Sequence, residues 1–228
     1  LRPENVTWSL YPLEVLHIAD ILGAFWTYDY DASRDGKVGL HAELKSKLHS
    51  DGFFVSRILL ELDNIRQIMA NQIVMLLRNR NIVRPDFLAG IPDGATSLGK
   101  EIAKILDVPE ALMEKRDGKI ILVTDVGSGQ ILFVEDFCTR ATGFTEAVVH
   151  TRESQPKARI VLYNPVIINR GGMDEFVAAG LVFDVLPVVE KRIQDWNPDD
   201  CPLCKLGSVA IRLKATDENW ERITTSQK

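Results

Sequence analysis

The chain has 228 residues, 46% of them hydrophobic and 26% charged, which is enough for one soluble globular domain with a substantial core. A net charge of −5 without a basic stripe argues against nucleic acid as the main partner, and no apolar run approaches the length of a membrane span. Three unevenly spaced cysteines are too few for a disulfide framework and favour a reducing, cytoplasmic setting, while Leu1 in place of an initiator Met is compatible with a processed N-terminus.

Residues 13–26 read as an amphipathic helix whose apolar face carries Leu13, Leu16, Ala19, Ile21 and Phe25. The polar, glycine-containing stretch 28–39 reads as an exposed loop. Residues 61–80 carry the longest helical pattern, with Ile65, Ile68, Met69, Gln72, Ile73, Leu76 and Leu77 on one face and basic residues in the last turn, where they complement the dipole. From Phe87 onward short apolar runs alternate with helical ones, the signature of parallel βαβ units. The spacing predicts a strand over 87–91 and a helix over 95–106. Weaker strands at 111–113 and 120–124 flank a charged loop. A central strand over 131–134 follows, then a helix beginning at 145–150. A strand over 160–168 is bent at Pro165, where the proline suggests an edge or a bulge, and 181–185 closes the sheet. The tail from Trp196 reads as a small irregular appendix. One α/β domain over 1–228 results, with an N-terminal segment (1–60), an α/β core (61–195) and a tail (196–228).

Chemistry concentrates at two strand ends. The run 131–134 leads into Glu135 and Asp136, then the turn Thr139, Arg140, Ala141, Thr142 and Gly143, then a helix. The carboxyl edge of a parallel sheet is where ligands bind, and a turn feeding a helix N-terminus offers free N–H groups to a phosphate. Two carboxylates beside such a cradle suit a ligand with ribose hydroxyls and a 5′-phosphate. Pro92, Asp93, Gly94 and Ala95 form a second loop of small residues between a strand and a helix, suited to another anion.

Residues 131–143 resemble the PRPP-binding signature of the type I phosphoribosyltransferases. Glu135, Asp136 and Thr139 match it, and Arg140 and Ala141 fall on tolerant positions. Phe137 and Cys138 replace the usual aliphatics, and of the glycines after the threonine only Gly143 remains. The loop 90–98 looks like the family's pyrophosphate loop. Residues 43–54 are similar to the hood segment of orotate phosphoribosyltransferases: Leu44, Lys45, Ser46, Ser50, Phe53 and Phe54 match, and Lys47 stands where the family has glycine. Arg170 matches a base-contacting arginine, with Asn169 in place of an aspartate. Residues 114–119 keep Lys115 of the family's mobile catalytic loop, Arg116 and Lys119 add positive charge, Glu114 replaces the first arginine, and the family's histidine is absent.

The resemblance implies a parallel sheet flanked by helices with a small N-terminal hood. It also implies transfer of the phosphoribosyl group of PRPP to orotate with Mg²⁺, and a homodimer in which Lys115 and Lys119 act across the interface. Glu135, Asp136, residues 139–143 and residues 92–95 would hold PRPP. Lys45, Phe53, Phe54 and Arg170 would hold the base. A phosphoribosyltransferase for another base and a non-catalytic PRPP or nucleotide sensor are the alternatives. Cys201-Pro-Leu-Cys204 resembles a tail of some bacterial orotate phosphoribosyltransferases and is half a tetrahedral zinc site, which histidines or a partner subunit would have to complete. His17, His41, His49 and His150 show no ligand spacing of their own.

Overall fold

A computed structural model describes residues 1–213 and 217–228. Helix α1 (Pro12–Ile21) ends earlier than its apolar pattern predicts. Ala24 N–H donates back to the Ala19 carbonyl, and Phe25–Thr27 leave the helix to pair as strand β1. The stretch expected to be loop holds a short helix α2 (Tyr30–Arg34), which Asp29 caps by accepting from Asp31 N and Ala32 N. Strands β2 (Leu40–Glu43), β3 (His49–Ser50) and β4 (Gly52–Phe54) precede helices α3 (Ser56–Glu61) and α4 (Asp63–Asn79), the latter where the periodicity puts it.

The α/β part runs β5 (Phe87–Gly90), α5 (Thr96–Leu106), β6 (Met113–Arg116), β7 (Lys119–Leu122), β8 (Gln130–Cys138), α6 (Thr142–Ser154), β9 (Arg159–Ile160), β10 (Tyr163–Asn169), β11 (Glu175–Ala178) and β12 (Leu181–Glu190). The chain finishes with β13 (Asp195–Trp196), α7 (Pro202–Lys205), β14 (Val209–Arg212) and α8 (Asp217–Thr225). Two compact units result: residues 1–18 with 56–192, and residues 19–55 with 193–228.

In the first unit the sheet order is β11-β12-β10-β8-β5. All neighbours are parallel except the β11–β12 hairpin, and the short β9 pairs in parallel with the start of β8. Strand β8 is central: Ile131, Leu132, Phe133 and Val134 are all fully buried, so both faces are covered, as an apolar run without alternation demands. Phe133 packs edge-on against Phe144 of α6, which also meets Phe176 and Phe183 from the β11–β12 hairpin.

Three expectations for this sheet change. Strand β8 runs on through Glu135, Asp136 and Phe137 because β10 pairs with that segment (Val166↔Glu135, Ile168↔Phe137). The strand with Pro165 is interior, not an edge; its pairing to β8 begins at Val166, so the missing N–H falls outside that ladder. Strand β12 does not close the sheet, since β11 folds back along it as the edge.

The second unit joins the segments on either side of the first. Its four-stranded sheet has the order β13-β3-β2-β14, with β14 parallel to β2 (Ala210↔His41), and β1 and β4 form a separate antiparallel pair. The tail expected to be an irregular appendix is therefore integral to this unit's core, where Leu203, Leu213 and Ile223 pack with Trp26, Ala42 and Phe53.

At the tip of the β2–β3 hairpin, Lys47 adopts φ +69° and its ammonium pairs with Glu43 at 3.0 Å. The left-handed conformation costs a residue with a Cβ about 1–2 kcal/mol, whereas an exposed ion pair contributes about 1 kcal/mol at most. Lys47→Gly is therefore expected to leave stability unchanged or raise it by about 1 kcal/mol in urea denaturation. A clear loss would show that the ion pair, not the backbone, governs this turn.

Candidate functional site

Strand alternation separates the two carboxylates of β8. Successive side chains leave a strand on opposite faces, so Glu135 and Asp136 have different surroundings. Glu135 shares its face with Phe133 and is only 8% exposed. Its Oε2 accepts from Asn164 Nδ2 at 2.8 Å, and it also takes the Phe144 backbone N–H from the first turn of α6. Burial pushes its carboxyl up from 4.5 to about 7, opposed by the Asn164 hydrogen bond, assisted by the neighbouring Asp136 charge, and opposed again by Phe144 N–H.

Asp136 is half-buried, and its Oδ1 accepts from Phe137 N at 2.8 Å. Its carboxylate lies so close to the Cα of Gly94 that no Cβ fits between them. The β5–α5 loop and the end of β8 thus meet in one place, as the parallel register of β5 and β8 (Gly90↔Val134) requires. Pro92, Asp93, Gly94 and Ala95 occupy that loop, and the Pro92–Asp93 peptide is cis.

Thr139, Arg140 and Ala141 form the bend after β8. Ala141 takes φ +48° as the N-cap of α6, with no side-chain capping bond, and Thr142 and Gly143 open the helix. The helix therefore starts three residues ahead of the expected 145; its N-cap Ala141 offers no side-chain bond, and Glu135 takes one first-turn N–H, that of Phe144. Arg170 follows β10 and is half-buried. Its N–H donates to the Cys138 carbonyl at 2.8 Å, which sets it beside the Thr139 bend. Asn169 closes the next turn, Nδ2 donating to Met173 O and Oδ1 accepting from Gly172 N. Cys138 is buried, and its thiol is pushed up to about 12 by burial first and Glu135 second, which disfavours the thiolate at neutral pH.

The charged segment expected to be a loop between weak strands is an antiparallel hairpin. Met113↔Leu122 and Arg116↔Lys119 pair across a turn at Asp117 and Gly118, both with positive φ, the geometry that an Asp-Gly pair favours. Its apolar side packs Met113, Ile120 and Leu122 into the core, and Glu146 of α6 accepts from Ile120 N. Lys115 and Lys119 are exposed at its tip, and Arg116 is paired with Glu114 at 2.7 Å.

The remaining candidates belong to the second unit. Lys45 is exposed in the β2–β3 turn. Phe53 and Phe54 are buried packing residues: Phe54 stacks on Phe25 at 4.1 Å between ring centres, and Phe53 tilts against Trp220. Cys201 and Cys204 meet His41 and His49, which corrects the view that the histidines form no ligand set; the pairing of β2 with β3 and β14 brings together residues that lie far apart in the chain. Sequence reasoning also missed Asn164, whose signal was a buried-strand amide ahead of the apolar run 166–168.

No family model matches the chain. It is 26% identical over 187 residues to the orotate phosphoribosyltransferase of Caldicellulosiruptor saccharolyticus, covering 81% of this chain and 91% of the relative. Among solved structures it superposes on the orotate phosphoribosyltransferase of Aeropyrum pernix with a TM-score of 0.56 at 14% identity, over 77% of this chain and 93% of that one. On the UMP synthase of Leishmania donovani the TM-score is 0.59 at 17% identity, with 82% of this chain matching 38% of the longer protein.

The raised Glu135 carboxyl has a signature in stability. Between pH 4.5 and about 7 the folded chain keeps a proton that the unfolded chain has lost, so this group's contribution declines as pH rises through that window and is level above it. Glu135→Gln removes the effect. The difference in stability between variant and wild type is expected to grow by on the order of 3 kcal/mol across the window, read from denaturation curves at several pH values. Curves that stay parallel would show that Glu135 ionises as an ordinary carboxylate.

Proposed function

We propose, for a pentosyltransferase of type I phosphoribosyltransferase fold most similar to the orotate phosphoribosyltransferases, that this chain transfers the phosphoribosyl group of PRPP to orotate. The observation that carries this reading is the close approach of Gly94 to Asp136. It puts a candidate pyrophosphate loop and a candidate ribose acid at adjoining strand ends, with the start of α6 following the same strand.

In this reading Asp136 accepts from the ribose hydroxyls, and the N–H groups of residues 139–143 take the 5′-phosphate. The loop 92–95 takes the pyrophosphate through its backbone. Glu135 acts as a brace: by holding Asn164 and the Phe144 N–H, it fixes the end of β8 against the start of α6. Attack by a ring nitrogen of orotate on the anomeric carbon expels pyrophosphate, and positive charge develops on the ribosyl ring. A carboxylate already in place beside that ring stabilises it without reorganisation. Arg170 provides a planar cation suited to the orotate carboxylate, and Lys45 is the second proposed cation.

Mg²⁺ fits as a companion of PRPP. Asp93 and Asp136 are hard oxygen donors at these loops, and among the described residues no cage of three or more protein ligands converges there. Mg²⁺ keeps water and favours phosphate oxygens over an all-protein cage. When bound it neutralises charge on the departing pyrophosphate.

The tight β6–β7 hairpin favours one second reading, a PRPP-binding sensor, because Lys115 and Lys119 flank a short turn rather than a long mobile segment. Steady-state kinetics with orotate, uracil, hypoxanthine and adenine separate the two. Turnover is expected with orotate, reduced about ten-fold or more in both Lys45→Ala and Arg170→Ala, since an unpaired cation or carboxylate costs about 1–3 kcal/mol. Equal turnover with an uncharged base would overturn the orotate assignment, and PRPP binding without turnover on any base would favour the sensor.

Gly94→Ala tests the carrying observation directly. The added methyl must displace Asp136, so PRPP affinity is expected to fall about ten-fold or more by calorimetry, while the melting temperature changes little. Unchanged affinity would remove Asp136 and its loop from the site.

A further inference from the structure

We propose that the second unit holds a structural zinc ion, bound by His41 Nε2, His49 Nδ1, Cys201 Sγ and Cys204 Sγ. These four donor atoms all lie within 4.8 Å of one another. His41 Nε2 is 3.1 Å from His49 Nδ1 and 3.6 Å from each sulfur, and Cys204 Sγ is 3.3 Å from His49 Nδ1. Zinc bonds of about 2.0–2.1 Å to nitrogen and about 2.3 Å to sulfur give tetrahedral edges of about 3.3 Å between nitrogens and about 3.5 Å between nitrogen and sulfur. The four separations of 3.1, 3.6, 3.6 and 3.3 Å lie within a few tenths of an ångström of those edges. A single set of this size accommodates one ion, and a donor set of two sulfurs and two nitrogens matches zinc.

The hydrogen bonds around His41 make its inward nitrogen a ligand atom. Ser208 Oγ is 2.9 Å from His41 Nδ1 and itself donates to the Gly39 carbonyl at 3.1 Å. With its proton committed there, Ser208 Oγ accepts from Nδ1–H, so the neutral ring keeps its free lone pair on Nε2, aimed at both sulfurs and at His49. A hydrogen bond from the outer nitrogen that fixes the tautomer is how metal-ligating histidines are commonly oriented.

The fold builds the corners from both ends of the chain. His41 and His49 sit on antiparallel β2 and β3, with Glu43 opposite His49. Cys201 precedes the short helix α7, whose continuation, β14, runs parallel to β2. His41 and Cys201 are fully buried and His49 nearly so, and both cysteines are free thiols. The strands of this unit are only two to four residues long, and a small unit of such short elements gains most from a metal staple. On binding, each thiol loses its proton to solvent, and the two thiolates balance the dication while both imidazoles stay neutral.

The test uses the full chain, freed of any affinity tag and purified without chelator. One zinc per chain is expected by elemental analysis, and exchange with Co²⁺ is expected to give the visible spectrum of tetrahedral cobalt with thiolate charge transfer. Cys204→Ser and His49→Ala should change or abolish that spectrum. Ser208→Ala keeps every ligand and should weaken zinc binding about 10–100-fold in competition with a chelating dye, with the circular dichroism spectrum retained. A folded chain that takes up neither metal would overturn the proposal. So would an intact mass showing a Cys201–Cys204 disulfide in the freshly purified protein, or a cobalt spectrum indifferent to Cys204→Ser.

Discussion

The contact between the Gly94 backbone and the Asp136 carboxylate sets the geometry of everything around it. It exists because β5 and β8 are adjacent, parallel and in register up to Gly90 and Val134, so the segments that leave them diverge from a shared edge. It requires a residue without a Cβ at position 94 and an acid at the end of an apolar strand. Neither requirement is local. The loop can lie against the carboxylate only if both strands are buried on both faces, and that depends on helices covering the sheet.

From the same strand comes the inequality of the two acids. Glu135 points to the α6 side, where the lowered dielectric raises its proton affinity and two donors hold it in place. Asp136 points towards the loop and keeps access to solvent. Adjacent residues of one chemical type thus divide into a fixed brace and an available acceptor. The division follows from the pleat alone, and Asn164 makes it durable by giving the buried carboxylate a partner on β10.

The alternation of apolar and helical runs made the βαβ part of the chain legible, and the bounds of α4, β5 and α5 lie within two residues of their periodic patterns. Three kinds of feature stayed hidden. Strand β8 looked short because its last residues are polar, yet pairing with β10 holds them extended whatever their polarity. The β6–β7 hairpin was masked by charge, although Asp117-Gly118 is a strong turn signal and Ile120 and Leu122 alternate correctly for one buried face. His41 and His49 carry no helical or short-loop ligand spacing, and only the meeting of β2, β3 and β14 reveals what they face. Local pattern reads elements well; it cannot read which distant elements become neighbours.

The way the second unit is threaded bears on the order in which the protein forms during synthesis. Strand β2 is made before its parallel neighbour β14, which lies beyond residues 56–192 of the first unit. The sheet β5-β8-β10-β12-β11 can be complete before residues 193–228 have left the ribosome. Residues 19–55 must then wait, with Trp26, Ala42 and Phe53 still lacking Leu203, Leu213 and Ile223. An apolar surface held open for that interval is a natural point for chaperone attention, and the closing of a very long loop makes it the late, entropically demanding step of maturation.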